Sequence, residues 1–232
     1  MKKNIFSGEK QNQWFRSRLS SGFASLALIL ICILLPLVII AQNKGYFLQK
    51  FAAYQIYENF SNSQDQDSVN SEFFKIQDYL FLKNSQLDSD FFSIEDRIHL
   101  NDVRSTFILV YIILLIAILY LVIYIWQTSK KQKIVTITYL ISKNALIVLI
   151  VIILILFPIF NANFPKFFQL FHQVLFPQGF WRLDPNSSNL IKYFLNNIFL
   201  DILNLLGILT LILTFIPYIF SIILLKIRSY GK

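Results

Sequence analysis

Residues 106–126 read TFILVYIILLIAILYLVIYIW, a run without one charged side chain. As a helix rising about 1.5 Å per residue, it spans the roughly 30 Å hydrocarbon layer of a bilayer. The stretch running into it, SIEDRIHLNDVRSTF at 93–107, is polar and carries His99, one of only two histidines in the chain. An imidazole placed a turn or two before a helix enters lipid is the feature that any functional reading has to explain.

Composition extends the membrane reading to the whole chain. Of 232 residues 56% are hydrophobic and 15% charged, where a soluble domain carries about a quarter charged. The charges are clustered, leaving three more apolar runs at 22–41, 145–160 and 202–225. The expected fold is an all-α integral membrane protein with four transmembrane helices and a small helical extracytoplasmic domain. Pro36, Pro158 and Pro217 fall within or at the ends of these runs, where lipid-embedded helices tolerate proline as a kink. Thr136–Leu140 offers an extension of the third and shortest run.

The basic residues set the expected topology. The segments 1–21, 127–144 and 226–232 hold Lys2, Lys3, Lys10, Arg16, Arg18, Lys130, Lys131, Lys133, Lys143, Lys226, Arg228 and Lys232, against Glu9 alone. The segments 42–105 and 161–201 together hold 9 basic and 12 acidic residues. Lysine and arginine beside span ends mark the cytoplasmic face, so both termini are expected in the cytoplasm and both histidine-bearing segments outside. The net charge of +8 then lies mostly beside the anionic inner leaflet, and no nucleic-acid partner is implied. Residues 22–41 form a full span followed by VIIAQ, a poor cleavage site, which favours a retained anchor over a removed signal. The single cysteine, Cys32, lies mid-span and reads as a packing residue; one cysteine excludes an internal disulfide.

The longest polar segment, 42–105, is too long for a connector. YFLQKFAAYQIYENF spaces Phe47, Phe51, Tyr54 and Tyr57 as an amphipathic helix, and EFFKIQDYLFL does the same with Phe73, Ile76 and Leu80. SNSQDQDSVNS between them is a polar loop. The chain has no glycine-rich phosphate loop, GxSxG elbow, HExxH helix or paired CxxC.

In the 93–107 stretch, Ser93 and Asp96 have capping-box spacing, so a helix starting there runs through His99 into the span. Glu95, Asp96 and Asp102 lie three or four residues from His99, within reach of its helix face. A carboxylate on one ring nitrogen fixes the tautomer and raises basicity, which suits a general base. A solvated helix start with acids favoured by the macrodipole accounts for the same residues. The second histidine lies in FPKFFQLFHQVLFPQGFWRLDP at 164–185. A helix beginning near Phe164–Pro165 gives an apolar face of Phe164, Phe167, Phe168, Phe171 and Leu175 suited to the headgroup region. His172 sits at its edge, and Trp181 suits the interfacial aromatic belt. The two imidazoles fall on the same expected side near one depth, as a base and an acid at a shared site would. Two histidines and a remote cysteine are too few for zinc, which usually takes at least three protein ligands.

FFSIEDRIHLNDVR at 91–104 resembles the F-[ST]-x-x-E-x-x-H-x-x-D-V segment of a family of four-span bacterial membrane proteins. FHQVLFPQGFWRLDP at 171–185, with NLI following, resembles that family's second motif, F-H-x-x-x-F and then W-x-L-D-P. The family includes the lipoprotein intramolecular transacylases. The resemblance implies that His99 and His172 are catalytic and that Glu95, Asp102, Phe171, Trp181 and Asp184 fill other motif positions. It implies as substrate a lipoprotein with an S-diacylglyceryl N-terminal cysteine. The sn-2 acyl chain moves to that cysteine's α-amino group, a downhill ester-to-amide conversion needing no ATP and no cofactor. Provisionally His99 takes the ammonium proton and His172 polarises the ester or protonates the departing oxygen, an order that can be reversed. Arg182 and Lys192 are candidates for orienting substrate carbonyls or lipid phosphates, although snorkelling accounts for both. Asp201 and Asn204, at the start of the fourth span, read as helix-end satisfaction. Two other classes remain open: an accessory scaffold binding an extracytoplasmic partner, and a small transporter. A transporter carries ionisable groups inside its spans, and these spans have almost none.

Overall fold

The computed structural model describes residues 5–60, 65–130 and 133–230, and for 5–18 the backbone alone. Lys2, Lys3, Lys131, Lys232 and 61–64 of the polar loop lie outside the described residues. The described chain is helical: α1 (Ile5–Gln42), α2 (Lys44–Ala53), a 3-10 turn (Ile56–Asn59), α3 (Gln66–Leu80), α4 (Ile94–Ser129), α5 (Ile134–Ala162), α6 (Phe164–Leu175), α7 (Leu190–Tyr193) and α8 (Asn196–Tyr230). No strand occurs among the described residues.

Four helices are long and apolar enough to cross a membrane: Leu19–Gln42 of α1, α4, α5 and α8. Helices α4 and α5 extend beyond their apolar runs, α4 by three polar turns at its start and α5 by about three turns before Ala145. In lipid every backbone polar group must be satisfied within its own segment, which is why these spans are unbroken helices. The apolar window of α1 is 44% buried and that of α4 only 6%, so α1 is the enclosed helix and α4 presents its side chains to lipid.

The chain forms two compact units. One lies within Met1–Leu35, Ile113–Leu154 and Gly207–Lys232. Small residues let its helices approach: Ala24 packs with Ile137 and Ile141, and Ala145 with Ile29 and Leu149. Its polar side chains are spent on backbone carbonyls, Thr210 on Cys32 at 3.1 Å, Thr214 on Thr210 at 2.8 Å and Tyr120 on Ser20 at 3.2 Å.

The other unit comprises Pro36–Ile112 and Ile155–Leu206. Its core is aromatic. Phe47 and Phe51 of α2 meet Phe73 of α3 at 5.0 and 4.8 Å between ring centroids. Tyr193 of α7 closes on Phe51, Phe60 and Phe73 at 5.6, 4.8 and 5.6 Å. The Tyr193 hydroxyl donates to the Val69 carbonyl at 2.7 Å, which satisfies the one polar atom of a fully buried ring. Side chains cap the starts of α2, α3 and α6: Asn43 accepts from Tyr46 N, Asp65 from Ser68 N and Asn163 from Lys166 N.

Phe51→Ala removes a fully buried ring and is expected to destabilise this unit by about 3–5 kcal/mol. Leu154→Ala, at a side chain 69% exposed, is expected to change stability by less than about 0.5 kcal/mol. Thermal unfolding in detergent, followed by tryptophan fluorescence, checks the contrast.

Candidate active site

The start of α4 is a reciprocal capping box. Ser93 N donates to Asp96 Oδ2 at 3.2 Å, and Asp96 N donates to Ser93 Oγ at 3.1 Å. Asp96 has no solvent exposure, and a buried carboxylate needs several donors. Ser188 Oγ supplies one to Oδ1 at 2.5 Å and Leu190 N another to Oδ2 at 3.4 Å. Asp96 therefore fastens the first turn of α4 to the first residue of α7. Three residues further along α4 stands His99.

His172 arrives from α6, and the two imidazole centroids lie 6.0 Å apart at 40°. Both rings are buried. Phe176, which ends α6, packs against both, at 5.2 Å from His99 and 5.7 Å from His172. Phe168, Phe171 and Trp181 surround His172 at 3.9, 5.3 and 5.1 Å. The pair sits in an aromatic shell at the head of α4, before the apolar run that begins at 106.

One hydrogen bond fixes a tautomer. His172 Nδ1 lies 2.8 Å from the Phe168 carbonyl. A carbonyl only accepts, so Nδ1 carries the proton and the lone pair is on Nε2. His99 Nδ1 is buried with no partner among the described residues. Burial pushes both imidazoles below the ordinary histidine value. The His172 charge adds to this for His99, against Asp102 and Asp96, and takes it down to about 4. For His172 the Phe168 bond partly offsets the burial. Both rings are neutral at pH 7. If one takes a proton, the other is further disfavoured as a cation, so the pair holds one transferable proton at a time. A weakly basic, dry imidazole with a free Nε2 is suited to taking a proton from a reacting amine and releasing it to a leaving oxygen.

The structure brings Phe171 and Trp181 onto His172, but no carboxylate hydrogen-bonds either imidazole among the described residues. Asp102 Oδ2 instead accepts from Gln178 Nε2 at 2.6 Å, which ties the loop after α6 to α4. Glu95 is exposed at the helix start; the carboxylate facing inward is its neighbour Asp96. The capping box explains the difference, since only the residue three after Ser93 is turned back toward the cap. Arg182 is exposed, its guanidinium 5.2 Å over Trp181. Asp184 is exposed too and closes its own turn by accepting from Asn186 N at 3.0 Å. Phe176, Ser188 and Gln178 were missed as site residues. Only Phe176 had a signal, its fixed place four residues after His172 in the second motif. No group of three or more His, Cys, Asp or Glu that could hold a metal occurs among the described residues.

Fold and site together define a multi-pass helical membrane protein with a paired-histidine centre beside the start of a span. The family model described as lipoprotein intramolecular transacylase Lit matches residues 23–199, and the chain belongs to that family, an acyltransferase family. The fold is similar to the solved structure of the membrane-integral lipoprotein intramolecular transacylase Lit from Bacillus cereus, at TM-score 0.80 and 19% identity over 93% of this chain and 99% of that one. Two variants of the same Bacillus cereus protein, with one histidine changed to arginine or to alanine, are similar at TM-scores 0.77 and 0.74. Their identities are 19% and 20%, covering 97% and 94% of this chain and 100% and 99% of those. No curated protein matches the chain.

With only two histidines, the imidazole ¹⁵N spectrum of the purified protein contains two ring pairs. Both are expected to be mainly neutral at pH 7, and at pH 6.5 each is expected to be less protonated than an ordinary imidazole, which is half protonated there. His172 is expected as the Nδ1–H tautomer, and His99 is expected to titrate only near pH 4. A charged ring at pH 7 contradicts this.

Proposed function

We propose that the protein moves the sn-2 acyl chain of an S-diacylglyceryl lipoprotein to the α-amino group of its N-terminal cysteine, leaving a lyso-form lipoprotein. The observation that carries the reading is the imidazole pair, 6.0 Å apart and buried, with His172 Nε2 left basic by the Phe168 carbonyl. Family membership supports the substrate class. Membrane lipid surrounds the substrate's acyl chains.

The roles are assigned in the opposite order to the first expectation. The α-amine attacks the ester carbonyl carbon; a C–N bond forms, and the carbonyl π pair moves to oxygen. His172 Nε2 takes the proton from the new ammonium nitrogen. His99, through its unpartnered Nδ1 as the N–H tautomer, donates to the developing oxyanion. When the adduct collapses, the C–O bond to glycerol breaks and the proton on His172 passes to that oxygen. Nothing is consumed: an amine and an ester become an amide and an alcohol. Donor and acceptor belong to one molecule, so much of the barrier is removed by orientation alone. Phe171, Phe176 and Trp181 exclude water, which would otherwise hydrolyse the ester. Asp96 and Asp102 hold α4 against the loop after α6 and the start of α7 through Ser188, Leu190 and Gln178. Arg182, Glu95 and Asp184 have no proton to move in this scheme; Arg182 steadies Trp181.

The segments rich in lysine and arginine favour both termini in the cytoplasm and the imidazoles on the extracytoplasmic side, where the lipoprotein's modified terminus lies.

The test is expression in cells that otherwise leave lipoproteins diacylated and free at the amine, followed by mass spectrometry of the lipoprotein N-terminus. The intact protein is expected to yield N-acyl lyso-form product. His172→Ala and His99→Ala are each expected to lower its formation by about 10²-fold or more. Unchanged diacyl lipoprotein with the intact protein contradicts the reading, and normal product from both variants contradicts the catalytic assignment.

A further inference from the structure

A second polar cluster joins α2 to the early turns of α8. Lys50 Nζ donates to Asp201 Oδ2 at 2.5 Å, and the Tyr54 hydroxyl donates to the same oxygen at 2.7 Å. The Lys50 ammonium stands over the rings of Tyr46 and Tyr54 at 5.5 and 5.9 Å. Burial pushes the Asp201 carboxyl up, but the bonds from Lys50 and Tyr54 outweigh it and hold the group below the ordinary carboxylate range. The two charges cancel. Asp201, the sixth residue of α8, therefore reaches across to α2 and satisfies no helix end, contrary to the reading from sequence.

Two neutral atoms beside this bridge are buried without a partner among the described residues: the Tyr46 hydroxyl, one turn before Lys50, and Asn204 Oδ1, one turn after Asp201. The contrast with the rest of α8 is informative. Further along, Thr210 and Thr214 each give their hydroxyl to a backbone carbonyl, as a polar side chain buried between spanning helices is expected to do. Burial, with Asp201 and Tyr54 adding, pushes the Tyr46 phenol up to about 12, so it keeps its proton and remains a donor. Asn204 Oδ1 only accepts. The cluster thus has no net charge to attract an ion, and it holds one unused neutral donor and one unused neutral acceptor. A secondary amide has the matching pair.

The helix that carries Asp201 and Asn204 also reaches the ring shell of His172. Phe199, two residues before Asp201, lies 5.2 Å from Phe168, which lies 3.9 Å from His172. The peptide of a lipoprotein begins at the same cysteine whose amine reacts, and each residue carries it only about 3.3–3.6 Å further.

We infer that Tyr46 and Asn204, beside the Lys50–Asp201 bridge, bind a backbone amide of the lipoprotein's peptide close to its modified cysteine. Tyr46 donates to the amide carbonyl and Asn204 Oδ1 accepts from the amide N–H. The inference rests on the transacylase reading and adds to it how the peptide is recognised.

The experiment uses the full-length protein in detergent and two synthetic S-diacylglyceryl-cysteinyl dipeptides. One has an amide between the first and second residues and the other has an ester there, which keeps the carbonyl and loses the N–H. N-acyl product is measured by mass spectrometry. The protein is expected to prefer the amide by roughly tenfold in kcat/KM, the worth of one hydrogen bond. Asn204→Leu is expected to lower the amide substrate to the level of the ester and so abolish the preference. Tyr46→Phe is expected to slow both substrates and keep the preference, because both retain the carbonyl. Equal use of the two substrates by the unaltered protein overturns the inference, as does a preference that survives in Asn204→Leu. If Asn204→Leu does not fold, the unaltered protein's preference decides alone. Absence of transfer from either substrate overturns the transacylase reading and this inference with it.

Discussion

A carboxylate without solvent exposure is costly unless donors surround it, and Asp96 has them in Ser93 N, Ser188 Oγ and Leu190 N. Because these donors come from two distant stretches of chain, meeting the needs of one charge fixes where α4 begins and where α7 is attached. His99 is one turn along the helix so fixed. The loop that ends at Ser188 carries Trp181, which packs on His172. Asp102 repeats the device further along α4 by accepting from Gln178. The site is thus held by carboxylates that, among the described residues, hydrogen-bond to neither imidazole.

The rings they position are kept dry by aromatic side chains, and dryness lowers their basicity. For the proposed chemistry that is an advantage. A nitrogen that has just added to an ester carbonyl is much more acidic than a free ammonium, so a weak base suffices to take its proton. A weak base also returns that proton readily to a departing alkoxide. The neighbouring imidazole adds to the effect, since two cations 6.0 Å apart in an apolar shell repel.

The sequence made the membrane fold legible because lipid permits so few solutions: uncharged runs of twenty or so residues become helices. The aromatic faces of α2 and α3 were legible in part: Phe47, Phe51, Phe73, Ile76 and Leu80 recur at helical spacing and all are buried, but α2 stops at Ala53, which leaves Tyr57 in the 3-10 turn, and α3 starts at Gln66 inside the stretch read as a loop. The capping box at Ser93 and Asp96 was readable as local chemistry. What the spacing could not resolve was direction in space. Glu95 and Asp96 both lie within a turn of His99, and only the cap geometry turns one of them inward. The Phe168 carbonyl that sets the His172 tautomer is a backbone atom with no mark in the sequence. Asp201 and Asn204 look like residues that close a helix end until Lys50 and Tyr54 arrive from 150 residues away in the chain. Long-range partners of polar groups are the part of this site that one sequence does not carry.

The central claim is that two imidazoles distant in sequence share one small space. Solid-state NMR of the protein in lipid bilayers, with only histidine labelled by ¹³C and ¹⁵N, tests it directly because any cross-peak between different residues must join His99 and His172. The account predicts a ring-to-ring cross-peak consistent with the 6.0 Å centroid separation. Two well-ordered imidazole signals with no cross-peak between them would contradict it.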